Sequence, residues 1–139
     1  MKTRWKILIT IALAVLFWKL AYGMDHRPIE GHLKDTYMTL NDQYFYGALP
    51  VSKTKIVIVD LTQYDDVAKI DTLDDGEWLI SIDKKMNPIE KQAEMSLIHE
   101  MCHQYDFVQN IDEGLSGHNE KWYGCMLRVA EAGGMKDRW

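Results

Sequence analysis

Two imidazoles four residues apart, with a carboxylate directly after the first, occur at His99-Glu100-Met101-Cys102-His103. On an α-helix this spacing turns both rings to one face, so they can share one Zn²⁺ while Glu100 reaches a water beside it. The chemistry on offer is metal-activated hydrolysis with Glu100 as general base. Catalytic zinc takes three protein ligands and leaves a position for water, so a third donor must come from elsewhere in the chain. The metzincin solution would place glycine three residues and histidine six residues beyond His103, where Asp106 and Gln109 stand instead. His118 is the preferred donor, because it follows a glycine-containing loop and opens a helix that can fold back antiparallel on the first. Glu120 is the alternative, with Glu113 and Glu131 behind it. Asp106, Asp112 and Glu113 are candidate acceptors for the outer N–H groups of metal-bound imidazoles, and Tyr105 or Tyr123 could assist an oxyanion.

The elements that must position these groups are legible from periodicity and punctuation. Ile29, Leu33, Tyr37, Leu40 and Tyr44 recur at three- and four-residue spacing, which predicts an amphipathic helix ending near Gly47. His26 and His32, on either side of its start, fall outside any cluster and are expected to be solvated. Residues 53–60 are β-branched and read as a strand, and residues 67–70 form a weaker candidate. Asp74-Asp75-Gly76 is a turn signal within an acidic stretch read as a solvated turn. A third strand over 77–83 follows, with Trp78, Ile80 and Ile82 on one face. Its edge is the expected docking line for an extended substrate. Asn87-Pro88-Ile89-Glu90 predicts a capped helix start, and Ile89, Ala93, Leu97, Ile98 and Met101 carry that helix to about Phe107. His99 then lies three turns inside it. A polar loop over 109–117 precedes a last helix from about His118 to Ala132.

Together these motifs resemble the SprT-like zinc metalloproteases. The resemblance covers about residues 33–133 and rests on Asn41-x-x-Tyr44-Phe45-x-Gly47-x-Leu49-Pro50, on Leu97-Ile98-His99-Glu100-Met101-Cys102-His103 and on Gly117-His118-x-Glu120-x-Trp122. It implies an α+β zincin-like fold: a helix, a three-stranded sheet, the metal helix and a second ligand helix. It also implies that His99, His103 and His118 are the zinc ligands. Asn119 stands where glycine is common in the family, and Trp122 where phenylalanine is common. No cysteine-rich zinc ribbon and no basic extension accompany the domain, so the DNA-crosslink repair of Spartan-type relatives is not expected.

Charge and hydropathy bound the rest. Residues 1–24 hold Lys2, Arg4, Lys6 and Lys19 without an acid, whereas residues 25–139 hold twelve basic and twenty-one acidic side chains. A domain this acidic repels phosphate backbones, which disfavours nucleic acid as a partner. The basic start and the apolar run from Ile7 to Trp18, followed by Ala21-Tyr22-Gly23, predict a signal peptide or an uncleaved membrane anchor over residues 1–24. Either puts the domain of residues 25–139 outside the cytoplasm, secreted, periplasmic or anchored by one span. Cys102 and Cys125 are the two cysteines, both expected to face inward, as a disulfide or as buried thiols. The leading functional expectation is a zinc-dependent peptidase acting on protein or peptide. The alternatives are a non-catalytic zinc-stabilised binding module and a zinc hydrolase of cell-wall amides.

Overall fold

In the computed structural model, residues 27–110 and 117–138 are described. The leader expected over residues 1–24 lies outside them, as do Asp112 and Glu113. Among the described residues no helix is long and apolar enough to cross a membrane.

Helix α1, Glu30–Tyr44, buries Leu33, Thr36, Tyr37, Leu40 and Asn41 along one stripe. It ends because the chain turns into positive φ at Tyr46 and Gly47, and the Gly47 N–H closes on the Asn41 carbonyl at 2.9 Å. The Asn41 side chain then grips both backbone groups of Leu49, at 3.0 and 3.1 Å. That buried amide accounts for the Asn41…Gly47…Leu49-Pro50 pattern, since it fixes the angle at which the chain leaves α1 for the sheet.

The sheet contains β1, Thr54–Val59, β2, Ala68–Thr72, and β3, Trp78–Asp83, in the order β1-β3-β2. β3 runs parallel to β1 and antiparallel to β2. Asp75 and Gly76, both at positive φ, reverse the chain between β2 and β3. The three strands match the sequence expectation, but the position of the third does not. Residues 78–83 form the central strand, hydrogen-bonded on both sides, so no substrate can pair with them. Among the described residues, the unpaired edge that borders the cleft belongs to β2.

Helix α2, Glu90–Gln109, lies across the sheet and buries Ala93, Leu97, Ile98, Met101 and Cys102. It starts at Glu90 without a side-chain cap, so Asn87 is not the predicted N-cap. The Asn87 amide is buried and used elsewhere: it donates to the carbonyls of Val67 and Asp83 at 2.9 and 2.8 Å and accepts from Ser96 at 2.6 Å. It thereby ties the sheet to the turn of α2 that precedes His99. On the other side, Tyr37 donates to Gln104 at 2.8 Å and Gln104 donates to Thr54 at 2.9 Å. This buried chain of polar groups spans α1, α2 and β1, one residue after His103. It fixes the rotation of α2 about its axis more firmly than apolar packing alone. Burial pushes the Tyr37 phenol up to about 12, so it remains a donor at any physiological pH.

Helix α3, Glu120–Glu131, packs Trp122, Cys125 and Val129 against α2. Cys102 and Cys125 are joined in a disulfide that spans the two helices, the first of the two states expected for them.

Candidate metal centre

His99 and His103, one turn apart on α2, have ring centroids 5.0 Å apart. His118 lies just before α3 and brings its ring to 4.7 Å from His99 and 5.1 Å from His103. The Nε2 atoms of His118 and His99 approach to 2.9 Å. One ligand nitrogen from each ring lies within 4.8 Å of the other two. Neighbouring ligands on a tetrahedral ion with Zn–N bonds of about 2.0–2.1 Å sit roughly 3.4 Å apart, so small ring rotations suit this set to zinc. Burial, with the charges of His103 and His118 behind it, lowers the His99 imidazole to about 4. It is therefore neutral near pH 7 and offers a lone pair rather than a proton.

Asn119 caps α3, its side-chain oxygen accepting from the Trp122 N–H at 2.8 Å. The helix thus begins at Glu120, not at His118, and His118 rides on the residue before the cap. The Asn119 amide also donates to Asp106 of α2 at 3.0 Å. Trp122 lies beneath the cluster: its ring stacks on His118 at 4.0 Å between centroids and meets His99 at 4.7 Å edge-on. Asparagine directly before a helix is a readable cap signal, and sequence reading weighed Asn119 only as a departure from glycine.

Glu100 is 4% exposed and places Oε1 4.0 Å from His99 Nε2. Burial raises its carboxyl to about 8, with the negative charges of Asp66 and Asp71 adding to the effect. Those two acids belong to the stretch expected to be a solvated turn, and they instead act on the site electrostatically. Glu100 and the histidines line a cleft of about 670 Å³ whose opposite wall is Val67, Ala68 and Ile70 at the open edge of the sheet.

Several candidates lie elsewhere. Glu120, exposed in the first turn of α3, is not in the metal-competent group, and Glu131 ends the same helix. Asp106 accepts from Asn119 and Asn110, which makes it an anchor of the His118 segment. Tyr105 is engaged with Phe45 at 5.6 Å and with the Arg128 guanidinium at 5.3 Å, and Tyr123 is 61% exposed beside Trp122. Neither lines the cleft, so neither is placed to meet an oxyanion. His32 is not solitary: its Nε2 lies 2.6 Å from Glu90 and 3.4 Å from Glu94. Sequence reading missed this because the partners lie about sixty residues away.

Among models of protein families, that of the SprT-like family matches residues 33–138. No curated protein matches the chain.

Proposed function

The chain belongs to the SprT-like family, and from that premise we propose that it is a zinc-dependent metallopeptidase with His99, His103 and His118 as the metal ligands and Glu100 as the general base. The observation that carries the reading is the convergence of three imidazoles beside a buried carboxylate. Zinc held there would polarise the scissile carbonyl and acidify water. Glu100 takes the proton of the attacking water on a carboxylate oxygen and returns it to the departing amide nitrogen. A cation held by the neighbouring histidines would favour the ionised carboxylate that this role needs. Trp122 holds the His118 ring flat, so the donor set needs little rearrangement on loading.

Substrate docks as an added strand. Among the described residues β2 has an unpaired edge on the cleft side, and backbone pairing along it would carry an extended peptide past Glu100 with little regard to side-chain identity. The hydrophobic start of the chain supports an extracytoplasmic site of action, reached by secretion or by anchoring, and the acidic domain argues for protein rather than nucleic acid as the partner.

Glu100→Gln tests the proposal. Zinc content should match that of the parent while casein hydrolysis falls by at least ~100-fold, the contribution of a positioned general base. Parent-level hydrolysis in the zinc-loaded variant would remove the assigned role, and hydrolysis of peptidoglycan but not casein by the parent would shift the substrate class.

A further inference from the structure

We propose that His32, Glu90 and Glu94 form a second divalent-cation site, structural in role, that clamps the start of α1 to the start of α2. The three side chains bring one ligand atom each within 4.8 Å of the others, the same closeness found in the histidine cluster. Glu90 and Glu94 are four apart, so they share one face of the first turns of α2. His32, on the first turn of α1, points its Nε2 between them, 2.6 Å from Glu90 Oε1 and 3.4 Å from Glu94 Oε1. One imidazole and two carboxylates make a nitrogen–oxygen donor set that suits Zn²⁺ and its first-row neighbours.

The site is half organised in advance. Glu94 is largely buried, and its Oε2 accepts from Arg138 Nε at 2.7 Å. Arg138 is itself held by the Gly134 carbonyl at 2.8 Å. Glu94 Oε1 is left directed at His32, with the Thr36 hydroxyl 3.4 Å away. A carboxylate whose outer oxygen is fixed by a hydrogen bond is the usual form of a metal-binding acid. His32 and Glu90 are more open, their side chains 46% and 31% exposed, so water can complete the coordination shell. Two carboxylates facing one another on a helix repel, and a cation between them removes that repulsion while bridging to α1. The group is separate from the histidine cluster: Glu94 and His99 are five residues apart on α2 and Glu90 is nine, roughly 13 Å along the axis. Through Arg138 the clamp also reaches the last described turn of the chain.

Zinc stoichiometry of the full chain tests this independently of peptidase activity. After equilibration at low-micromolar free Zn²⁺, the parent should carry two equivalents by native mass spectrometry and atomic absorption. His32→Gln and Glu90→Gln should each carry one and bind the second at least ~10-fold more weakly, the loss seen for even an outer metal partner. Zn²⁺ added beyond the first equivalent should raise the melting temperature of the parent and leave that of both variants unchanged. A parent whose single equivalent is kept by both variants, or variants that keep two, overturns the site and leaves a plain ion pair. Glu90→Gln, at a half-exposed position on the other helix, serves if His32→Gln does not fold.

Discussion

The indole N–H of Trp122 donates to the backbone carbonyl of His99 at 3.2 Å, while the same ring lies against His118 at 4.0 Å. One side chain therefore registers α2 and α3, and with α3 the His118 segment that precedes it. Trp122→Phe keeps the stack and loses the donor, which should cost about 1 kcal/mol of stability and leave zinc binding largely intact. Trp122→Ala also leaves a cavity, at about 3–5 kcal/mol, and should release zinc to a weaker chelator. Urea denaturation and chelator competition measure the two effects. Parent-like zinc retention in Trp122→Ala would mean the rings hold their places unaided.

The Cys102–Cys125 disulfide ties the same two helices, with 23 residues of separation. Closing a loop of that size is worth about 3 kcal/mol on the chain-entropy account. Reduction, or the Cys102→Ser Cys125→Ser pair, should lower the melting temperature by roughly 10 °C in the metal-free protein. Saturating zinc should recover part of that loss, because a metal on the proposed ligands would also join α2 to the segment before α3. Calorimetry with and without zinc, oxidised and reduced, gives the four corners of the cycle. Strictly additive effects would show that the metal and the disulfide do not restrain the same pair of helices.

Much of this was legible beforehand, and the rest fails for identifiable reasons. Helical periodicity placed α1 and α2 within three residues of their ends, because a single buried stripe dominates each. The placement of β3 failed, since alternation reports which side chains are buried and not which strand is the neighbour. Its burial on nearly every residue, Ser81 and Asp83 included, is the trace that central position leaves. Asn87-Pro88 has the grammar of a helix start, yet the Asn87 amide satisfies carbonyls at the ends of β2 and β3, and that tertiary demand outweighs a local cap. The His99–His118 encounter was readable because the ligand chemistry demanded a third donor. The grouping of His32 with Glu90 and Glu94 had no such demand to announce it.

Asp83 offers a test of the frame beneath the site. Its carboxylate is buried and accepts from the backbone N–H groups of Leu61 at 2.6 Å, Met86 at 2.7 Å and Lys85 at 2.9 Å. Burial pushes its carboxyl up, but the three donors outweigh that and hold it below the ordinary value. A folded pKa below the unfolded one means that its stabilisation is complete above the ordinary carboxylate range, near pH 4, and is lost as pH falls through the folded value. Asp83→Asn should cost about 2 kcal/mol at pH 7, and the gap to the parent should narrow on acidification below about pH 4. Urea midpoints at neutral and acid pH decide it, and a gap of constant size would assign the cost to packing rather than charge.

Asp106 is placed to govern His118 through the contacts it makes to Asn119. It lies one turn beyond His103 on α2, where Oδ2 accepts from Asn119 at 3.0 Å and Oδ1 from Asn110 at 2.9 Å. Asn119 passes the restraint on, capping α3 through the Trp122 N–H at 2.8 Å and following His118 directly in the chain. Removing the carboxylate should leave the α2 ligands in place and loosen the third. Asp106→Ala is therefore expected to weaken zinc binding by about 10–100-fold, as the loss of an orienting partner does at other metal sites. Hydrolysis should recover toward the parent rate as free zinc is raised, because a loosened ligand changes occupancy more than chemistry. Asn119→Asp sharpens the argument: it keeps the cap acceptor but sets two carboxylates against each other, so zinc affinity should fall although helix α3 is still capped. Chelator competition and activity measured against free zinc follow both variants. Unchanged affinity in Asp106→Ala would mean that Trp122 and the disulfide fix the His118 segment by themselves.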